Sequence, residues 1–432
     1  MHLTRLVLTN FRNYSHLELD LARGLTLIQG NNACGKTTLL EAIFYVATGH
    51  SPHARAEREL IRWGAATSEP IPFAHVEAHV ERKNGNQTRL EIILVQANDE
   101  KGEAQPNPRE GRGASSSRVS KRIRVNGVAK RALDLLGELT CVLFLPEDLD
   151  LVFGSPGDRR RYLDITLSQI DQRYARALSK YNQVLEQRNS LLRESQERRV
   201  NADELAVWDS QLVEEGAYLI ARRANTIERY NQLITAIHPR LTDAREHLTL
   251  HYQSNALIEE AITNYQLPLS ETATHPERSA EGAESKGTPI AARFARQLEL
   301  RHARELGAGL TLVGPHRDDV RFLIQRNSDE NKIDATIYAS RGQGRTIALS
   351  LKLAEVELMR AETGEDPVLL LDDMMSELDA PRRAALSQAV MDAPQAIITA
   401  TDLEDFSPEF LARARIFAAE NNALTQQQNQ KA

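Results

Sequence analysis

Apolar residues recur along this chain with two periods, and the switch between them outlines its organisation. Leu3–Val7 and Leu17, Leu19 and Leu21 alternate in steps of two around the polar corner Asn10-Phe-Arg-Asn-Tyr14, which predicts a β-hairpin. Leu25-Thr-Leu-Ile-Gln29 reads as a buried strand, and Leu39, Leu40, Ile43, Phe44 and Ala47 then fall at helical spacing over Thr37–Thr48. Phe73–Val80 and Leu90–Val95 predict a second hairpin, because Lys83-Asn-Gly-Asn86 between them holds the Asn-Gly turn signal. Strand signals return at Ile123–Gly127 and Cys141–Leu145. From Asp158 to Arg199 the period becomes helical: Leu163, Leu167, Ile170, Tyr174, Ala177, Tyr181, Val184 and Leu191 step by three, four or seven. After the polar break Glu194–Asp203, a second helix is expected from Leu205 to Ile237, bounded by Pro239. Two helices with one break suit an antiparallel helical arm, and suit a compact helical lobe equally well. A helix over Pro289–Leu306 and strands at Leu310–Val313, Val320–Ile324, Ile333–Tyr338, Val368–Leu371 and Ala396–Ile398 complete the pattern.

Composition adds boundaries. Residues 97–120 and 270–288 are rich in Gly, Pro, Ser, Glu and Ala with few apolar side chains, so both are expected to be disordered insertions, and the polar tail from Asn421 to Ala432 to fray. At 432 residues the chain is long enough for two lobes. A net charge of −7 gives no global footprint for nucleic acid, so any DNA site must be a local basic patch. Cys34 and Cys141 make neither a disulfide framework nor a zinc motif. No apolar run approaches membrane-spanning length, and the start reads as a strand rather than a signal peptide, so no membrane partner and a cytoplasmic location are expected.

The chemistry concentrates at two points. Gly30-Asn31-Asn32-Ala33-Cys34-Gly35-Lys36-Thr37 reads G-x-x-x-x-G-K-T between a predicted strand and a predicted helix, the context a phosphate-binding loop requires. The glycines allow the turns, successive N–H groups and the helix N-terminus face phosphate, Lys36 supplies a charge, and Thr37 would ligate Mg²⁺. Near the other chain end, Val368-Leu-Leu-Leu371 is followed by Asp372-Asp373, a Walker B pattern: Asp372 for the metal, then Asp373 where a base or water-orienting group belongs. Upstream, Ala339-Ser340-Arg341-Gly342-Gln343-Gly344 precedes a helix; downstream comes Ser376-Glu377-Leu378-Asp379.

Taken together, this order resembles the ABC ATPases, and the separation of the two Walker motifs by a helical segment resembles their SMC-like branch. Asn10–Tyr14 is similar to the adenine-side loop of such heads, with Arg12 the implied contact. Leu145-Pro-Glu-Asp-Leu149, Gly154-Ser-Pro with Arg159-Arg160-Arg161-Tyr162-Leu163-Asp164, and Gly314-Pro-His-Arg-Asp318 look like the RecF-like family. The resemblance implies an α/β fold: an ABC-type P-loop ATPase head from residues 1–155 and 307–420, with a helical arm lobe inserted at 156–306. It implies ATP and Mg²⁺ as cofactors and an ATP-dependent homodimer in which Ser340, Gly342 and Gln343 reach the γ-phosphate bound to the other copy. It further implies action on single-stranded or gapped DNA with RecR and RecO. The chain departs from many ABC proteins in three ways: Arg341 stands where a glycine is usual, Asp373 replaces glutamate, and Thr399 or Thr401 lies where a switch histidine is expected. Slow turnover follows from the shorter carboxylate. Arg118, Lys121, Arg122, Arg124, Arg159, Arg160 and Arg161 are the DNA-contact candidates. The competing reading is a P-loop metabolic kinase with an accessory helical lobe; a transporter nucleotide-binding subunit fits less well, since its head is continuous.

Overall fold

The computed structural model describes residues 1–65, 71–96, 119–196, 202–257, 289–328 and 331–427. The expected insertion at 97–120 lies outside these up to residue 118, while 119 and 120 open a strand; the expected insertion at 270–288 lies outside them entirely. The chain forms two compact units, Met1–Glu147 with Glu355–Ala432, and Asp148–Ala354. These boundaries fall earlier and later than the expected 156–306 insertion, because Ser340–Gly344 and its helix start pack with the central segment.

In the first unit, β1 (His2–Phe11), β2 (Tyr14–Asp20), β4 (Phe73–Glu81), β5 (Gln87–Gln96), β6 (Val119–Val125) and β7 (Val128–Lys130) form an antiparallel sheet ordered β2-β1-β4-β5-β6-β7. Both predicted hairpins are present. Alternation along β4 puts Ala74, Val76, Ala78 and Val80 on the covered face, as a half-buried sheet requires.

The second sheet is ordered β15-β14-β3-β13-β12-β8. Strands β3 (Gly24–Gln29), β8 (Cys141–Phe144), β12 (Val368–Asp372), β13 (Gln395–Ala400) and β14 (Ala414–Glu420) run parallel, and β15 (Ala423–Gln426) pairs antiparallel with β14. All five residues of β12 and all six of β13 are buried, the continuous apolar reading expected of inner parallel strands. The tail is therefore ordered through Gln426 rather than frayed from Asn421. Helix α1 (Lys36–Thr48) packs on β12 and β8 of this sheet and on β4 of the antiparallel one, which explains why eleven of its residues are buried.

In the second unit, α2 (Pro156–Ile170), α3 (Gln172–Glu194), α4 (Ala202–Leu241) and α5 (Pro289–Ala308) surround a sheet ordered β11-β10-β9: β9 (Glu246–Gln253), β10 (Asp319–Arg326) and β11 (Ile333–Asp334). The helical reading of 158–199 breaks at Asp171, whose side chain accepts from Tyr174 N–H and starts α3 afresh. α4 runs 40 residues, about 60 Å, past the expected stop at Pro239. Leu310–Val313 is not a strand, and Ile333–Tyr338 is two strand residues followed by one helical turn. Arg188 explains the first difference. Its fully buried guanidinium binds Asp209, Glu305 and Thr311, so residues 310–313 are held by side chains rather than by a ladder.

Among the described residues no helix is long and apolar enough to cross a membrane.

Candidate functional site

Register brings the chemistry to one sheet edge. β13 lies between β3 and β12, pairing Ala400 with Gln29 on one side and Thr399 with Asp372 on the other. The carboxyl ends of these parallel strands therefore carry the glycine loop, Thr399 and the acid pair together, where open α/β sheets hold ligands.

The loop from Gly30 to Thr37 is shaped by two different glycine requirements. Gly35 has φ 101°, and a side chain there would also press on Asn13 and Tyr14. Gly30 needs no unusual φ; a Cβ there would run into the Ala419 carbonyl. Ala33 at φ 67° adds a second left-handed residue, so the loop's N–H groups converge as in an anion nest. α1 begins at Lys36 with no side-chain cap, leaving its first N–H groups for a ligand. Lys36 Nζ donates to the carbonyls of Gly30 (2.5 Å) and Asn31 (3.0 Å), and an ammonium has a third proton to give. Tyr14 Oη donates to the Gly35 carbonyl at 3.1 Å; burial pushes this phenol well above its ordinary range, so it remains a donor.

A cavity of about 150 Å³ is lined by Asn32, Ala33, Gly35, Lys36, Thr37 and Thr38, with Asn13, Asp372 and Asp373. Asp372 is buried, and its Oδ1 accepts from Thr399 Oγ1 at 2.7 Å. Asp373 takes a left-handed φ of 48°. Its N–H donates to Thr399 Oγ1 (3.1 Å) and to the Thr399 carbonyl (3.2 Å). Burial raises the Asp373 pKa above the usual carboxylate value, with Asp372 adding to the rise while Lys36 and a backbone N–H from Thr401 oppose it. The residues present fit a nucleotide triphosphate with Mg²⁺: uncapped N–H groups and an ammonium for phosphate, a hydroxyl and a carboxylate for a hard cation.

The predicted residues do not all converge. Asn32, Ala33, Gly35, Lys36, Thr37, Asp372 and Asp373 line the cavity; Gly30 and Asn31 shape the loop beneath Lys36, and the Cys34 thiol packs toward Gly30. Arg12 does not line it. Its guanidinium makes a two-point pair with the buried Glu41 (2.9 and 2.6 Å) and reaches the Glu59 carbonyl, and Asn13 is the corner residue at the cavity. Thr38, one residue past the glycine-loop motif, lines the cavity as well.

The Ser340, Gly342 and Gln343 element belongs to the second unit. Ser340 Oγ accepts from Gln343 N–H (3.2 Å) while Gln343 Oε1 accepts from Ser340 N–H (3.0 Å), a reciprocal box opening α6 (Arg341–Thr363). Gln343 Nε2 also donates to Glu246 at 2.7 Å. Gly344 lies against the Phe153 ring, where a Cβ would collide. Ser340 and Gly342 are exposed, beside Ile337 (69% exposed) and Tyr338 (68%).

Among the DNA candidates, Arg159 is buried on Asp319 (2.7 and 3.1 Å), Arg160 donates to the Asp318 carbonyl, and Lys121 is tied to Glu57, the Gly49 carbonyl and the Tyr45 ring. Arg122 and Arg124 flank buried Ile123 and stay exposed on β6, and Arg161 is exposed on α2; Arg118 lies outside the described residues. In the Gly314–Asp318 stretch Gly314, Pro315 and Asp318 are buried, while Arg317 is exposed. Gly314 at φ 129° sits against Tyr181 and Phe294, Tyr181 Oη and His316 Nδ1 are 2.6 Å apart, and Asp318 accepts from Tyr252. His75, Glu77 and Glu91 are the described group spaced for a cation, yet Arg89 already bridges both carboxylates (2.8 and 3.0 Å).

A strand–glycine loop–helix and an acid pair on parallel strands that flank a shared neighbour, drawn from opposite ends of one chain, define an ABC-type P-loop ATPase head. The description RecF/RecN/SMC N terminal domain matches residues 2–423. DNA replication and repair protein RecF of Roseiflexus castenholzii is 41% identical over 98% of this chain and 99% of that protein, and RecF of Chloroflexus aurantiacus 42% identical over 98% and 99%. The solved structure of the recombination mediator protein RecF-ATP in the RecFOR pathway aligns with a TM-score of 0.77 at 30% identity, over 99% of this chain and 97% of that one. The chain belongs to the RecF family of SMC-like ABC ATPases.

Proposed function

We propose that this chain is an ATP-dependent DNA-binding protein of recombinational repair and replication. It acts in the cytoplasm on single-stranded or gapped DNA with RecR and RecO, aids recombinase loading, and contributes to SOS induction. The observation that carries the ATP half is the meeting of Lys36, Thr37, Asp372 and Asp373 around one cavity. The repair assignment leans on the relatives, named for DNA replication and repair and, in solved form, for ATP and the RecFOR pathway.

Bound Mg²⁺ would neutralise charge on the β- and γ-phosphate oxygens. Loop N–H groups and Lys36 would hold the phosphates, Thr37 and Asp372 would hold the metal, and Asp373 would orient the attacking water. Ser340, Gly342 and Gln343 of a second copy complete the γ-phosphate contacts. The exposure of Ser340 and Gly342 together with Ile337 and Tyr338 supports a surface that is covered only on association. ATP then acts as a reversible glue, and hydrolysis, slow because of the short Asp373 side chain, releases it. Arg122 and Arg124 are the favoured phosphate contacts for DNA, because Arg159, Arg160 and Lys121 already hold protein partners.

Light scattering tests the association. The parent is expected to double its mass with ATP and Mg²⁺, and Lys36→Ala and Ser340→Arg to remain monomeric; a parent that stays monomeric removes the ATP-dependent association. Binding to gapped DNA should weaken steeply with salt, and Arg122→Ala/Arg124→Ala should flatten that slope.

A further inference from the structure

We infer that Thr399 is a positioning residue for the metal-binding carboxylate, setting which oxygen of Asp372 is presented to Mg²⁺; this rests on the ATP reading above. A threonine hydroxyl has one proton. Two acceptors lie near it, Asp372 Oδ1 at 2.7 Å and the Leu371 carbonyl at 3.3 Å, and the shorter, charge-assisted bond takes the proton. Oδ1 is thereby engaged, and Oδ2 is the oxygen left for the cation.

The same hydroxyl receives the Asp373 N–H, which it shares with the Thr399 carbonyl. Asp373 holds a left-handed backbone at φ 48°, a conformation that non-glycine residues adopt uncommonly. One side chain thus orients the first acid and pins the backbone turn that aims the second. Thr399 is 1% exposed and Asp372 7%, so solvent competes little for these bonds. A β-branched residue within a central strand has a restricted χ1, which fixes the direction of the hydroxyl. Thr399 also pairs with Ile28 of β3, so it stands in the strand between the glycine loop and the acid pair.

The alternative is that Thr399 merely fills a buried strand position. The two readings part on Thr399→Val, which keeps the shape and removes both the donor and the acceptor. A space-filling role makes this change neutral or stabilising, with Mg²⁺ dependence unaltered. A positioning role raises the Mg²⁺ concentration at half-maximal binding of a fluorescent ATP analogue roughly tenfold, in line with the effect of removing an outer-shell partner of a metal ligand. Thr399→Ser retains the hydroxyl and should return within about threefold of the parent. Thr399→Ala, read alongside in case the valine packs badly, should shift with the valine. Binding is measured across a Mg²⁺ titration and in EDTA, with thermal melts in EDTA as the fold control. Valine and alanine variants with the parent's Mg²⁺ midpoint overturn the inference alone. A parent that binds no nucleotide even with Mg²⁺ overturns the ATP reading and the inference with it.

Discussion

At the scale of single residues, the site depends on two aspartates in different environments. Asp372 is tied to Thr399 and offers one oxygen, whereas Asp373 stands at the cavity with its pKa raised chiefly by burial. A raised carboxyl stays protonated further up the pH scale, so its basic form is lost earlier as pH falls. ATP hydrolysis should therefore decline on the acid side at a higher pH than the ~3.9 of a free aspartate. Asp373→Asn should slow single-turnover hydrolysis on the order of a hundredfold and erase that acid limb, while ATP binding persists. Hydrolysis by Asp373→Asn at the parent rate would remove the assigned role. Arg12 gives the opposite lesson. The resemblance of Asn10–Tyr14 to an adenine-side loop implied a ligand contact for Arg12; in the structure its guanidinium pairs with Glu41, buried on α1, which also accepts from the Ser51 hydroxyl.

At the scale of elements, local chemistry was readable where one segment carries its own instruction. The Ser155–Asp158 box with Pro156 at the first turn starts α2: Asp158 Oδ2 accepts from Ser155 N–H at 2.8 Å and its carboxyl is held below the usual range by the Ser155 hydroxyl. Ser155→Ala should cost about 1 kcal/mol and lower the melting temperature by roughly 2–4 °C. An unchanged melt would mean that tertiary packing alone sets this helix start. The glycine loop, both hairpins and the Walker B strand were legible for the same reason. β9 carries a local signal too, Leu248, Leu250 and Tyr252 alternating toward the core. Other features were not local at all. Leu310–Val313 has a strand's composition, yet Arg188, distant in sequence, decides its path; Thr399 gains its role only once β13 lies beside β12. The Gly314–Asp318 stretch belongs to this class. Burial raises Asp318 to about 6, opposed by Arg223 and the Tyr252 hydroxyl, and lowers His316 to about 4. For Asp318 the folded pKa exceeds the unfolded one, so the folded state binds the extra proton and stability from this group falls as pH rises through about 4 to 6. His316 has the opposite sign, its contribution being lost as pH drops from about 6.5 toward 4. Comparison with Asp318→Asn isolates the first. Relative to that variant, the parent should lose about 3 kcal/mol between pH 4 and pH 7 by chemical denaturation. A constant difference across that range would show that Asp318 titrates in the fold as it does in the unfolded chain, with no burial-raised pKa.

At the scale of the whole molecule, the proposed division of labour between glycine loop and signature makes a prediction that no single variant can. Lys36→Ala loses the phosphate contact but keeps Ser340, Gly342 and Gln343; Ser340→Arg loses the signature but keeps the loop and the acid pair. If each nucleotide is completed by the opposite copy, a mixed dimer joins the intact loop of one variant to the intact signature of the other. The second site in that dimer is doubly broken. Neither variant pairs with itself, so in an equimolar mixture every dimer is mixed, each with one working site of two, and up to about half of the parent's ATPase should return from two inactive proteins. If each chain completed its own site, mixing would restore nothing, because every chain would carry its own lesion. Titrating one variant into a fixed amount of the other separates these outcomes: the trans arrangement gives activity that rises with added partner and saturates, and a flat line rejects it. Exposed Ile337 and Tyr338 beside the signature supply an internal control. Tyr338→Glu on the Lys36→Ala copy, the copy that lends its signature, should weaken the rescue while leaving that chain's fold intact, since a side chain 68% exposed gives up little packing when changed.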